Sequence, residues 1–498
     1  MACCRSGCSS RVRPCSGTQG TRTRLGKSDL VANAFLNLLR ANAKKSLAAV
    51  LCLALCACSS LKPWQNHVLR AGETAEYDGR EQLFDAARIP DVLVVASFSG
   101  GGSRAAAFAH AVVGELDSLP YAWQGRTTTL AREIDMVIGV SGGSVAAAHL
   151  AWHGTAGHLE RFHADFLAQD FQSRLVRKSL SPSGLRKISS PWFGRGNILA
   201  DQLDAVLFGG ATFGRLARLE SRPYLIVGAT DLSSGAEFDF TSEQFAILCS
   251  SIDEVPLSFA VAASSSVPLL FSPLSVQVHR DGCSPAQDAV RANAATAGDS
   301  ARVKLTKGEL GALATGERRF IHLVDGGLSD NLGTRRITDY VAQMGGIGAV
   351  LQSLGQGSDQ SVPLPLHIVF IAINSERKGP LPIDQRGQVP SMLEVADALI
   401  YSGLGRTSRE TELVFKEAVD NWRAELAALG PAGRNSDIFA IEINLSDLED
   451  QVLRKRVLEV PTAFRVSPQD LAALRQAARL IVASSTELKR YLESVAGP

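Results

Sequence analysis

The body of this chain has almost no cysteine. Seven of the nine cysteines precede residue 59, and only Cys249 and Cys283 lie beyond it. A disulfide scaffold is thereby excluded, and with no C-x-x-C pair in the body there is no zinc or redox spacing either. Cys249 and Cys283 are expected to be structural or free thiols, with a single bond between them the alternative. Charge of one sign is also missing: 51 basic and 50 acidic side chains leave a net charge of +1, without a dense lysine or arginine block. Nucleic acid is therefore a poor candidate partner. No G-x-x-x-x-G-K-[ST] loop occurs, and no acidic loop suited to calcium, so nothing calls for a metal or a cofactor. The chain does have 45% hydrophobic residues in a length of 498, enough for one large α/β domain with appendages and too much for general disorder.

Arg40, Lys44 and Lys45 lead into an apolar run from Leu47 to Ala57, which ends at Cys58-Ser59-Ser60. Eleven residues of helix reach only about 16 Å against a hydrocarbon core of about 30 Å, so the run reads as a secretory signal and not as a membrane span. Leu55-Cys56-Ala57-Cys58 resembles the lipobox of bacterial lipoproteins, which implies lipidation at Cys58 and a mature chain starting there. Ser59 in the next position is compatible with outer-membrane sorting, facing the periplasm. Residues 1–57 are thus expected to be leader and signal peptide, and 58–85 a polar tether.

Asp91-Val-Leu-Val-Val-Ala96 reads as a buried parallel strand, leading to Ser99-Gly-Gly-Gly-Ser-Arg104 and a helical run from Ala105 to Leu116. The glycines Gly100, Gly101 and Gly102 leave backbone amides uncovered at a helix N-terminus, which suits a phosphate or an oxyanion. Gly100-x-Gly102-x-x-Ala105 also fits a dinucleotide fingerprint, but the next strand, Ile134 to Val140, ends in a serine where that fold expects an acid. The end of this strand carries Gly139-Val-Ser141-Gly-Gly143, a G-x-S-x-G set between the strand and the helix Val145 to Trp152. Small neighbours allow the sharp turn that holds a serine Oγ above a sheet, so Ser141 is the candidate nucleophile. Ser144, in the helix's first turn, is the rival hydroxyl and reads better as a cap.

None of the nine histidines has a local setting that marks it as the base. His149 lies eight residues beyond Ser141, about 12 Å along the helix; His110 sits mid-helix, His322 within a strand, and His153, His158 and His163 in a polar stretch. A carboxylate is better set: the strand Phe320 to Val324 delivers Asp325-Gly-Gly327, an aspartate at a carboxyl strand end flanked by glycines. In a parallel sheet that edge would also carry Gly100 and Ser141.

Taken in order, Ser99-Gly-Gly-Gly-Ser-Arg104, Gly139-Val-Ser-Gly-Gly143, Ala229-Thr-Asp-Leu-Ser-Ser-Gly235, Ala260-Val-Ala-Ala-Ser-Ser-Ser-Val-Pro-Leu-Leu-Phe-Ser-Pro273 and Asp325-Gly-Gly327 resemble the blocks of the patatin-like phospholipase family. The resemblance implies a three-layer α/β/α fold with a mainly parallel central sheet, and a Ser–Asp dyad without histidine. It implies that Ser141 is the nucleophile, Asp325 the base and Gly100 to Gly102 the oxyanion loop, acting on phospholipid or other lipid esters. Two departures stand out: Ser99 replaces the usual acid before the glycines, and Ala105 the usual glycine after Arg104. The arginine itself is retained and is expected to steady the loop or an anionic head group. An acyltransferase using the same acyl-enzyme, or a non-catalytic lipid-binding lipoprotein, is the alternative.

The catalytic domain is expected over 86–375, with a helix-rich α/β extension over 376–498 packed on it. That extension holds an apolar strand from Asp437 to Asn444, an amphipathic stretch from Ser391 to Ala428 and a final helix capped by Ser467. The segments Pro191 to Leu199 and Ala260 to Phe271 are candidate walls of an acyl channel, with core packing the plainer role.

Overall fold

Runs of Val, Ile, Leu and Phe without polar alternation are suited to strands covered on both faces, and they fill the central positions of the sheet. In a computed structural model, the structure describes residues 61–69, 73–79, 83, 92–123, 125–220, 222–279, 289–290, 293, 295–296, 299–315, 318–355, 367–377, 382–428 and 436–495. The signal segment, Cys58 and Cys283 lie outside these. Strand β1 (Val92–Phe98) is followed by helix α1 (Gly102–Asp117), a hairpin of β2 (Pro120–Trp123) and β3 (Arg126–Thr129), then β4 (Ile134–Val140) and helix α2 (Gly142–Phe162). Two helices, α3 (Phe171–Leu180) and α4 (Pro182–Ile188), precede β5 (Tyr224–Asp231) and β6 (Glu237–Asp239). Helix α5 (Leu257–Ser264), β7 (Leu274–Gln277) and β8 (Phe320–Asp325) complete the stretch carrying the motifs. The C-terminal part adds β9 (His367–Asn374), α6 (Met392–Ala428), β10 (Asp437–Asn444), α7 (Gln451–Glu459), α8 (Pro468–Ser484) and α9 (Thr486–Val495).

The sheet runs β10-β9-β1-β4-β5-β8-β7, with β6 paired to β5 off this path. From β10 to β5 every pairing is parallel, whereas β8 runs antiparallel to both β5 and β7. This is a mixed, mostly parallel sheet flanked by helices. All eight residues of β5 are buried, as expected for a strand with helices on both of its faces. Residues 60–498 form a single compact unit, and β10 lies in register against β9 along its whole length. The stretch from Ser391 folds as one helix of 37 residues, and the C-terminal run is divided at Ser485 into two helices, the first capped by Ser467 Oγ accepting from the Asp470 amide at 3.1 Å.

Two expectations are corrected. The polar stretch before the body is not a free tether where it is described: Tyr77 is fully buried and its hydroxyl donates to the Leu225 carbonyl at 2.8 Å, while Asn66 is buried against Ser250 and Gln277. Composition hid this, because a few anchoring side chains such as Trp64, Asn66 and Tyr77 are enough to pin an otherwise polar strand of chain. Cys249, expected to be a structural or free thiol with a disulfide as the alternative, is disulfide-bonded, so the alternative holds.

Four histidines cluster between α1 and α2, with His110, His149 and His158 buried and His153 half-buried. His110 Nδ1 and His158 Nε2 lie 3.2 Å apart, as do His149 Nδ1 and His158 Nδ1, and the His149 and His153 rings pack tilted with centroids 4.2 Å apart. Burial pushes His110 down to about 4 and His149 to about 2, with Arg475, Arg161 and the neighbouring imidazoles adding to the effect; Asp165 lies 3.8 Å from His149 Nε2. A depressed folded pKa means that the unfolded chain takes up protons first, so this stabilisation is complete above 6.5 and is lost as pH falls towards 4. Removing one member in His149→Gln should lessen the drop in Tm across that window relative to the parent, read by thermal melts; an unchanged drop refutes a role for the cluster in acid sensitivity.

Candidate active site

The sharp turn after β4 places Ser141 at φ 49°, ψ −124°, a conformation that non-glycine residues rarely adopt and that costs on the order of 1–3 kcal/mol. The neighbours that hold it there are specific. The Ser141 amide donates to Ser264 Oγ at 2.8 Å, and Ser264 in turn donates to the Gly228 carbonyl at 2.5 Å. Ser144 Oγ bonds back to the Ser141 carbonyl at 2.5 Å, so the rival hydroxyl is fully buried and occupied. Directly after Ser141 the chain enters α2, whose N-terminal amides face the same region.

Asp325 reaches this point from the opposite direction. A parallel strand was the expectation at this position, but β8 is antiparallel and pairs Asp325 with Ala229, one step beyond the level at which Val140 pairs with Gly228. Its carboxyl end therefore meets the end of β4 because β8 stops at that level. Ser141 Oγ donates to Asp325 Oδ2 at 2.6 Å, and the Gly327 amide donates to Oδ1 at 2.9 Å. Burial pushes the Asp325 carboxyl up to about 6, while the bonds from Ser141 and Gly327 pull the other way. The carboxylate thus remains ionised at neutral pH yet is a better base than a solvated one. Thr230 Oγ1 holds the Asp325 carbonyl at 2.9 Å. No histidine bonds Ser141 among the described residues.

The glycine loop lies beside this pair. The Gly100 amide is given to the Asn331 carbonyl at 3.0 Å, whereas those of Gly101 and Gly102, at φ 137° and 60°, enter no backbone pairing among the described residues. Ser99, the departure from the family pattern, acts as a clasp: its Oγ accepts the Ser375 amide at 2.9 Å, and Ser375 Oγ donates to the Gly100 carbonyl at 3.1 Å. Arg104 is buried, and its Nη1 donates to the carbonyls of Val460 at 2.9 Å and Leu458 at 3.3 Å. It ties the loop to the end of α7.

Gly100, Gly101, Arg104, Ser141, Asp325 and Asn331 share the wall of a cavity of about 420 Å³, closed by apolar side chains that include Val267, Leu328, Ile383 and Leu404. Of the two segments considered as acyl walls, Val267 and Pro268 contribute to it, while Ala260 to Ser266 are buried in the core and Pro191 to Leu199 lie elsewhere. Much of the wall comes instead from Glu376 onward, including Ala398 and the Val460–Thr462 turn. A more open depression of about 540 Å³ between Gln451 and Asp470 holds no such pair of reactive groups. Ser264 could have been noticed within the Ala260–Pro273 block; Ser375 and Asn331 carry no local signal. The described residues contain no cluster of three or more side chains fit to hold a metal ion.

A serine on a strained strand-to-helix turn, bonded to a buried carboxylate beside a glycine loop, thus sits at the strand ends of a mixed, mostly parallel α/β sheet. Residues 96–336 match the family model described as patatin-like phospholipase, and this stretch of the chain is a patatin-like phospholipase domain. Among solved structures, human GIVD cytosolic phospholipase A2 is similar over 84% of this chain and 64% of that chain, at 12% identity and a TM-score of 0.42. The same human protein in complex with methyl gamma-linolenyl fluorophosphonate is similar over 84% and 62%, at 13% identity and a TM-score of 0.35. The chain thus covers less than two thirds of the length of these proteins. No curated protein sequence matches it.

The packing of the two loops leaves no room for a methyl group at Gly142, where a Cβ would stand 2.0 Å from the Gly102 carbonyl oxygen. Gly142→Ala should push the glycine loop away from Ser141 and destabilise the fold by about 1–3 kcal/mol. Chemical denaturation checks this, and a midpoint equal to that of the parent would show that the loops do not meet.

Proposed function

We propose that this protein is a serine acyl hydrolase that cleaves ester bonds of phospholipids or related lipids through the dyad of Ser141 and Asp325. The observation that carries the reading is the 2.6 Å bond between the two side chains, set in a largely apolar cavity. Asp325 Oδ2 takes the proton from Ser141 Oγ as the oxygen attacks the ester carbonyl, and the negative charge that develops falls on the glycine loop and the N-terminus of α2. The proton then passes from Asp325 to the departing alcohol oxygen, leaving an acyl-serine. Water attacks this ester with Asp325 again as base, and the fatty acid leaves with the serine restored. Since the Gly100 amide is spoken for by Asn331, the oxyanion donors narrow to Gly101 and Gly102, and losing one such donor commonly costs about 100- to 1000-fold in rate. Arg104 acts as a positioning residue for this loop.

Ser141→Ala and Asp325→Asn are each expected to abolish hydrolysis of phospholipid and of short-chain esters while leaving the melting temperature close to the parent's. A fluorophosphonate should label the parent and not Ser141→Ala. Because the base must be ionised, kcat/KM should fall about tenfold per pH unit below a midpoint near 6. Near-parental turnover in either variant, or a flat profile through that midpoint, refutes the dyad.

We further propose that the chain is exported and anchored through a lipidated Cys58 to the outer membrane, facing the periplasm. Two features support this: the Leu55–Cys58 segment, and the disulfide at Cys249, which fits an oxidising compartment. Radiolabelled palmitate should enter the parent chain and not Cys58→Ser; equal labelling would move the anchor elsewhere.

A further inference from the structure

Between Phe171 and Ala200 the sequence has six basic residues and no Asp or Glu, in a chain whose charges as a whole nearly balance. This segment forms α3, α4 and the turn to Arg195. Phe171 and Leu175 turn inward, while Val176 and Leu180, one helical turn apart, face outward, as do Leu185 and Ile188 on α4 and Trp192 after it. Leu180 is 67% and Trp192 49% exposed, too much apolar surface in one segment for an ordinary solvated face. Arg174, Arg177 and Arg186 are exposed beside these side chains and form no ion pair among the described residues. Nearby acids are few: Asp170 caps α3, and Asp201 engages Lys187 at 2.5 Å.

The segment is joined to the cavity. Arg195 Nη2 donates to the Leu269 carbonyl at 2.7 Å, and Leu269 and Leu270, both at least half exposed, come directly after the cavity residues Val267 and Pro268. On the other side Phe464, two residues beyond the cavity residue Thr462, packs tilted against Phe171 and edge-on against Phe271, with ring centroids 5.6 and 5.8 Å apart. Apolar surface therefore continues from the cavity rim onto the basic helices.

We propose that α3, α4, Trp192 and Leu269–Leu270 form a docking surface for an anionic phospholipid bilayer, which holds the cavity mouth against the lipid from which it draws substrate. Aliphatic and indole groups enter the headgroup boundary while the guanidinium groups beside them meet lipid phosphates. A neutral surface would leave those three arginines without a counter-charge, and a water-soluble anion would have no use for the aliphatic groups. The proposal rests in part on the reading of the cavity as a lipid-ester site, so binding and hydrolysis are measured separately.

The test uses the full chain carrying Cys58→Ala, so that no acyl anchor contributes, sedimented with vesicles of phosphatidylcholine alone or mixed with phosphatidylglycerol. Binding should favour the anionic vesicles and weaken with added salt. Arg177→Glu with Arg186→Glu should weaken it about tenfold or more, and Leu180→Ser with Trp192→Ser should weaken it at low salt too. None of these residues lines the cavity, so each variant should keep parental turnover of a soluble short-chain ester, which also reports correct folding. Equal partition onto neutral and anionic vesicles, or undiminished binding in the charge-reversed variant, overturns the proposal. Loss of soluble-ester turnover in the parent itself would instead overturn the hydrolase reading and leave the binding result standing.

Discussion

The site depends on one hydrogen bond, from Ser141 Oγ to Asp325 Oδ2, and that bond depends on where two strands stop. Neither residue is brought to the other by its own loop. The turn after β4 ends at the level of Gly228, and β8 arrives antiparallel on the far side of β5 and ends opposite Ala229. A one-residue slip in either pairing would turn the side chains to opposite faces of the sheet. The small polar residues around the pair, Ser264, Thr230 and Ser144, serve this registration: each bonds a backbone group of Ser141 or Asp325, or fixes the strand between them. Burial that sets this geometry also sets the chemistry, since the desolvation that raises the carboxyl's pKa is what makes it a useful proton acceptor.

The chain is most legible as sequence where a function is written in neighbouring residues. The strands β1 and β9 are visible as unbroken apolar runs, β4, β8 and β10 as apolar runs interrupted by Asp135, His322 and Glu442, and the turn of Ser141 as glycines between a strand and a helix. Contacts between distant segments leave no such mark. The direction of β8 looks the same in sequence whether its neighbour is parallel or antiparallel, and Asp325 reaches the expected edge by a different route. The role of Ser99 is visible in sequence only as a departure from a family pattern; its partner Ser375 lies 276 residues away. Tyr77 sits in a stretch that composition marks as polar, yet it bonds β5. The basic helices are inconspicuous because their charges are spread out, and the telling feature is the lack of acids between them.

The histidines are only half legible. No imidazole reaches Ser141 among the described residues, in keeping with the local settings, but nothing local marks the cluster of His110, His149, His153 and His158, because it takes α1 and α2 to bring its members together. Both helices begin at the site, one after the glycine loop and one after Ser141. Their shared interior therefore fixes the angle at which the two reactive loops face each other.

The carbonyls of Leu458, Val460 and Ala463 receive Arg104 and the Ser103 amide, so the first turn of α1 is finished by chain that lies well past residue 336. Ancestry and architecture thus draw different borders here. The stretch that carries the inherited signature is not self-sufficient: cut down to it, the helix would open towards water on the side that the later turn now seals, and the reactive pair would sit in a bowl with half its rim gone.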